Sequence, residues 1–180
     1  MKKLTVCLLL LSLVAVVAAQ NAKPKPDLSG TWKLTEPKDD PSPGSRLLNT
    51  GDILVIAQHE PEVKVSSKFV TPGNEGVNEL TYYTDGRGET NVKTGGNQPV
   101  ATVTKWDGNK LVTKHVASMT VRGASGGEKT GKIETTQKWE LSKDGQKLSL
   151  TATVTGPPEI PPFNVMTEPL KMKYVYVREP

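Results

Sequence analysis

The sequence predicts an all-β domain: a single antiparallel up-and-down β-barrel of about ten strands. Three observations lead there. From Asp27 onward, short stretches of apolar–polar alternation are cut by Gly, Pro, Asn and Asp about every ten residues, the texture of a meander rather than of helices. Three Asp-Gly pairs, Asp85-Gly86, Asp107-Gly108 and Asp144-Gly145, mark tight hairpins, because a primed turn needs positive φ at its centre. In the two clearest hairpins, the turn and the hydrophobic pattern agree on one register.

The chain opens with MKKLTVCLLLLSLVAVVAAQ. Lys2 and Lys3 give a basic start, Leu4 to Val17 an apolar run, and Val17-Ala18-Ala19 a small-residue end. That layout reads as a secretory signal peptide over residues 1–19, cleaved after Ala19. The apolar run is short for a membrane span of roughly 20 residues. Residues 20–26 form a Pro-containing lead-in, and residues 27–180 make one domain, long enough for a real core.

Cleavage removes Cys7, the single cysteine, and with it any thiol nucleophile, disulfide or Cys-based metal site. Two of the 23 basic residues lie in the signal and all 19 acids follow it, leaving 21 against 19, a net charge of +2. Bases and acids are interspersed, which is no nucleic-acid footprint.

Strands are expected around Ser29–Thr35, Ile53–His59, Val63–Val70, Val77–Thr84, Glu89–Lys93, Val100–Trp106 and Lys171–Arg178, plus the two hairpins VTKWDGNKLVTKHV and TQKWELSKDGQKLSLTATV. With aromatics at 5%, β-branched residues carry the strand signal. In the second hairpin, a turn at Asp144-Gly145 pairs Leu141 with Leu148 and Trp139 with Leu150, so Ile133, Thr135, Gln137, Trp139 and Leu141 share a face with Leu148, Leu150, Ala152 and Val154. In the first, Trp106 falls on the face of Leu111, His115, Ala117, Met119 and Val121. Agreement of register and pattern is what specifies a one-sided sheet. Antiparallel strands this numerous close on themselves to remove exposed edges. Two Pro-rich loops, Glu36 to Gly51 and Gly156 to Pro169, either cap a barrel mouth or serve as slack connections.

Gly30-Thr31-Trp32-Lys33-Leu34 resembles the first strand of the calycin group, the lipocalins and fatty-acid-binding proteins. Those barrels carry Gly-x-Trp near the start and an Arg on or just after the last strand, packed together at the closed end. The resemblance implies a barrel-closing role for Gly30, Trp32 and Arg178. Ser29 to Leu34, Thr84 to Gly86, Trp106 to Leu111 and Trp139 to Leu148 also match, in order, the texture of small secreted bacterial lipocalin-like proteins of unassigned function. Two departures limit what the likeness carries. Pro37, Pro41 and Pro43 forbid the helical lid of a fatty-acid-binding protein, and Tyr176-Val177-Arg178 replaces its carboxylate-binding Arg-x-Tyr.

Catalytic signatures are near misses. GASGGEKT (Gly123 to Thr130) places Glu128 where the phosphate loop needs Gly. Lys93-Thr94-Gly95 has no S-x-x-K companion. His59 and His115 are the only histidines. His59 begins a turn with Glu60 and Glu62, acids that usually face water. His115 has inward parity, as a core histidine bonded to a neighbour such as Thr102 or Thr113, or as a haem ligand of the nitrobindin-like kind.

The expectation is a non-enzymatic barrel, secreted or periplasmic, binding a small apolar or amphipathic molecule in its interior. Leu111, His115, Met119, Trp139, Leu150 and Tyr174 are the expected lining, with no cofactor, no metal, no nucleic acid and no membrane span after cleavage. The alternative is a structural or envelope-interaction domain with a filled core; third is a haem barrel using His115.

Overall fold

A computed structural model describes residues 24–36, 51–71, 74–92, 99–122, 127–158, 163–165 and 167–180. Ten strands are assigned: β1 (Gly30–Glu36), β2 (Ile53–His59), β3 (Glu62–Thr71), β4 (Asn74–Tyr83), β5 (Glu89–Val92), β6 (Pro99–Asp107), β7 (Lys110–Arg122), β8 (Glu128–Leu141), β9 (Lys147–Thr155) and β10 (Leu170–Arg178). They form one antiparallel sheet in the order β4-β3-β2-β1-β10-β9-β8-β7-β6-β5, curled into a nearly closed barrel. The fold class is the one the sequence predicts. The signal, most of the lead-in, the Lys93-Thr94-Gly95 triplet and most of the first Pro-rich loop lie outside the described residues.

The predicted register of the second hairpin holds: Leu141 faces Leu148 and Trp139 faces Leu150. In the first hairpin the predicted face holds, with Trp106 opposite Leu111. Turn chemistry explains the glycines at two of the three Asp-Gly pairs. Asp107 pairs with Lys110, so the tight turn is centred on Gly108-Asn109, one residue later than expected, with Gly108 at φ 61°. Gly145 has φ 70°, and Asp144 Oδ1 accepts the Ser142 hydroxyl and the Gln146 amide, an Asx-type brace for the bend.

The third pair corrects the expectation. No backbone ladder joins β4 to β5, because side chains of β5 occupy the gap, and Arg87 folds back on Asp85 with a bidentate contact. A second difference is length. Beyond Ala117–Ile133 the β7–β8 pair continues to Arg122–Glu128, past the last pairing with β6 at Ala101–Val116 and with β9 at Glu134–Thr155. Of GASGGEKT, residues 123–126 lie outside the described residues, and Glu128 to Thr130 already belong to β8.

The end near Gly30 is closed. Trp32 is fully buried, and its indole N–H donates to the Leu28 carbonyl at 2.9 Å. Leu28 sits under the barrel, held by Gln58 Oε1 on its amide. Arg178 lies 4.2 Å above the Trp32 ring and donates to the carbonyls of Ser29 (2.5 Å) and Gly145 (3.0 Å). A guanidinium on an indole face gains cation–π attraction while its donors cap carbonyls. Gly30 is required by this contact: its φ is +133°, and a Cβ there would stand 2.5 Å from Arg178 Nη1. Thr84, Gln58 and Trp106 all donate to the Glu60 carboxylate and tie the same end together.

Above this plug, Leu54, Ile56, Val63, Val65, Trp139, Leu148, Leu150, Tyr174 and Tyr176 form one continuous core. Phe163, in a short 3-10 turn at 163–165, is buried over Gly156, where a Cβ would collide with its ring. The described part of the second Pro-rich loop thus covers core at the opposite end. Trp32→Ala should lower unfolding free energy by about 3–5 kcal/mol, as truncation of a buried aromatic does. Urea denaturation checks this, and a loss below about 1 kcal/mol would contradict the plug.

Candidate functional site

Strand parity and register arrange the inward side chains in lateral rows. One row runs Trp106, Leu111, Trp139, Leu150, Tyr174. The next, toward the mouth, runs Thr104, Thr113, Gln137, Ala152, Met172, and the one after it Glu89, Thr102, His115, Thr135, Val154, Leu170. The last two rows change character along their length. Their β5–β8 part is polar, and their β9–β10 part is apolar. β2 and β3 present Leu54, Ile56, Val63 and Val65, with Ser67 as the buried polar residue opposite Leu54. The interior therefore has a polar wall and an apolar wall.

The polar wall is hydrogen-bonded. His115 Nδ1 lies 3.2 Å from the Thr102 hydroxyl, and its Nε2 lies 3.3 Å from Gln137 Oε1. Thr113 donates to the same Gln137 oxygen at 3.4 Å. A neutral imidazole with its proton on Nε2 satisfies both contacts, Thr102 donating to Nδ1. The Tyr82 ring meets the His115 ring edge-on, with centroids 5.9 Å apart, and burial pushes the Tyr82 phenol far above its ordinary range. Buried hydroxyls and amides are costly unless paired, so this network fixes the orientation of the wall. Among the described residues, the Trp139 indole N–H is buried and has no hydrogen-bond partner.

At the β4–β5 seam, side chains take the place of a ladder. Asn91 accepts the Thr81 amide and donates to the Thr81 carbonyl, both at 3.0 Å. Glu89 accepts the Tyr83 amide at 3.2 Å and the Thr104 hydroxyl at 3.3 Å. Desolvation raises the Glu89 carboxyl above its ordinary value, against the opposing effect of these bonds.

Of the residues expected from sequence, Leu111, Trp139, Leu150 and Tyr174 come together in one buried row, and the Tyr174 hydroxyl donates to Met172 sulfur at 3.6 Å. His115 stands two rows nearer the mouth, half-buried, with its Nδ1 against the Thr102 hydroxyl. Met119 lies on the β7–β8 ribbon, packed against the core edge. Gly30, Trp32 and Arg178 meet at the closed end. Sequence reasoning left Thr104, Thr135, Gln137 and Asn91 out of the lining. The alternation already set Thr135 and Gln137 on the inward face with Trp139; they were left out of the lining because Thr and Gln in strands usually face water.

Among the described residues no three His, Cys, Asp or Glu side chains gather as a metal site. Hollows lined by described residues also lie outside the interior. One, of about 330 Å³, lies over β2–β4 between Val55, Ala57, Lys64 and Glu79. Another, of about 190 Å³, lies at the mouth between Val154, Phe163 and Glu168. Compared with family models, curated proteins and solved structures, the chain matches none.

The seam gives two expectations. Asn91→Ala removes both bonds to Thr81 and should cost about 1–3 kcal/mol, with faster hydrogen exchange at the Thr81 amide; unchanged exchange there would contradict the bridge. For Glu89, a raised folded pKa means the native state holds the proton more tightly than the unfolded chain. Its contribution is therefore full below the ordinary carboxyl pKa and is lost as pH rises through the raised value. The stability of Glu89→Gln relative to wild type should rise over that window, measured by denaturation from pH 4 to 8. A flat difference would contradict the desolvated carboxyl.

Proposed function

We propose that this chain is a secreted or periplasmic, non-enzymatic barrel that holds a small amphipathic molecule in its interior. The observation that carries this reading is the division of the interior into a polar wall on β5–β8 and an apolar wall on β9, β10, β2 and β3. A fold needs no such division for stability, because an apolar interior packs as well or better. A guest with one polar end and an apolar body fits it. Barrels near this strand number hold side chains or one small ligand.

A binding role also accords with His115. Both its ring nitrogens are engaged, by Thr102 and Gln137, so neither is poised as a base. Haem ligation would have to break the Nε2 contact, and a Soret band on adding haem, lost in His115→Ala, is what that reading requires. The structural reading, a barrel with a filled core, draws on the closed half, where Trp32, Leu54, Leu148 and Tyr176 are all 0% exposed.

Native mass spectrometry of protein purified from its own host separates the two. The carrier reading expects an added mass of a few hundred daltons that organic solvent removes. Protein that is repeatedly ligand-free, and that binds no amphipathic probe, would favour the structural domain.

A further inference from the structure

We propose that the wall formed by Thr102, Thr113, Thr135, Gln137 and the Trp139 indole N–H selects an uncharged head group, a hydroxyl, carboxamide or ketone, and rejects carboxylates. This rests on the interior-binding reading and names its ligand class.

Three observations carry it. First, the described inward positions of these rows bear no Lys or Arg. Arg178 is engaged at the closed end by Trp32, Ser29 and Gly145. His115, the base in these rows, has both ring nitrogens engaged by Thr102 and Gln137, so a carboxylate buried against Thr and Gln would meet no fixed counter-charge, and burying an unpaired ion is heavily penalised. The one ionisable acid bordering the wall is Glu89, bonded to Thr104, and its charge repels an anion further.

Second, the wall offers a donor and acceptor mixture that a neutral group can match. Gln137 Oε1 receives both His115 and Thr113, so its amide nitrogen, on the other branch, is the donor a guest meets. Threonine hydroxyls rotate to give or accept. An alcohol or amide does both, whereas an ionised carboxylate only accepts.

Third, the Trp139 N–H is buried without a partner one row deeper, beside Leu111 and Leu150. An orphaned buried donor is unfavourable. A guest oxygen reaching it, with a small shift of its neighbours, relieves that penalty in the bound state alone.

The test compares decan-1-ol, decanamide, decanoate and decylammonium at pH 8 by titration calorimetry, with wild type, Thr135→Val and Trp139→Phe. The alcohol and the amide should bind at least tenfold tighter than either ion. Trp139→Phe should weaken the alcohol by roughly tenfold, the loss of one hydrogen bond of about 1.4 kcal/mol, without lowering the unfolding midpoint in proportion. Thr135→Val, nearly isosteric, should weaken it several-fold. Equal or tighter binding of decanoate or decylammonium overturns the head-group class and leaves the carrier standing. Binding of the neutral probes unaffected by both substitutions overturns the assignment to this wall. No binding of any of the four overturns the proposal and the interior-binding reading together.

Discussion

The stacking of Arg178 on Trp32 decides which end of this barrel can be a mouth. It joins the last strand to the first, and its donors reach the Ser29 and Gly145 carbonyls, closing β10, the β8–β9 turn and the N-terminal strap in one contact. Trp32 in turn holds Leu28 beneath the strands. Several separate segments are immobilised by one cation–π pair and its hydrogen bonds, so the entropy of ordering them is offset together. With that end plugged, the buried polar side chains of β6 to β8 lie in the rows above it.

Those rows are built by simple means. Antiparallel registers held by turns at Gly108 and Gly145 keep alternate residues pointing inward over the length of β6 to β9, and a slip of one residue would reverse them all. The same constraint that packs Trp139 against Leu150 therefore delivers Gln137, Thr135 and His115 to the interior. Buried polar side chains are tolerated there because they bond to one another. The β4–β5 seam obeys similar logic in reverse: backbone groups that find no strand are met by the side chains of Asn91 and Glu89, since a buried, unpaired amide is costly.

The barrel was legible in the sequence because its signals are local and repeated. Alternation sets the faces of β6 to β9, Asp-Gly marks two of the three turns, and Gly30-Thr31-Trp32, by its resemblance to a calycin first strand, points to a closed end. What local pattern could not supply was lateral position. Thr104, Thr113 and Gln137 form a row only once three strands are set side by side; the alternation gave Gln137 its inward face but not its neighbours. The splayed seam was hidden for a related reason. Asp85-Gly86 carries the hairpin signal, yet Glu89 and Asn91, a few residues on, put side chains where the ladder would be. The expected lining mixed two environments: Leu111, Trp139, Leu150 and Tyr174 belong to the buried row, whereas Met119 lies out on the ribbon.

The central claim is that the interior's polar wall, and not the outer hollow over β2–β4, is where a small molecule is held. Side-chain NMR of the isotopically labelled protein during titration with decan-1-ol tests it most directly. The account predicts shifts concentrated in the Gln137 carboxamide, the His115 ring and the Trp139 indole N–H, with Lys64, Ser66 and Glu79 unmoved. Shifts clustered at Val55, Lys64 and Glu79, with Gln137, His115 and Trp139 unchanged, would contradict it.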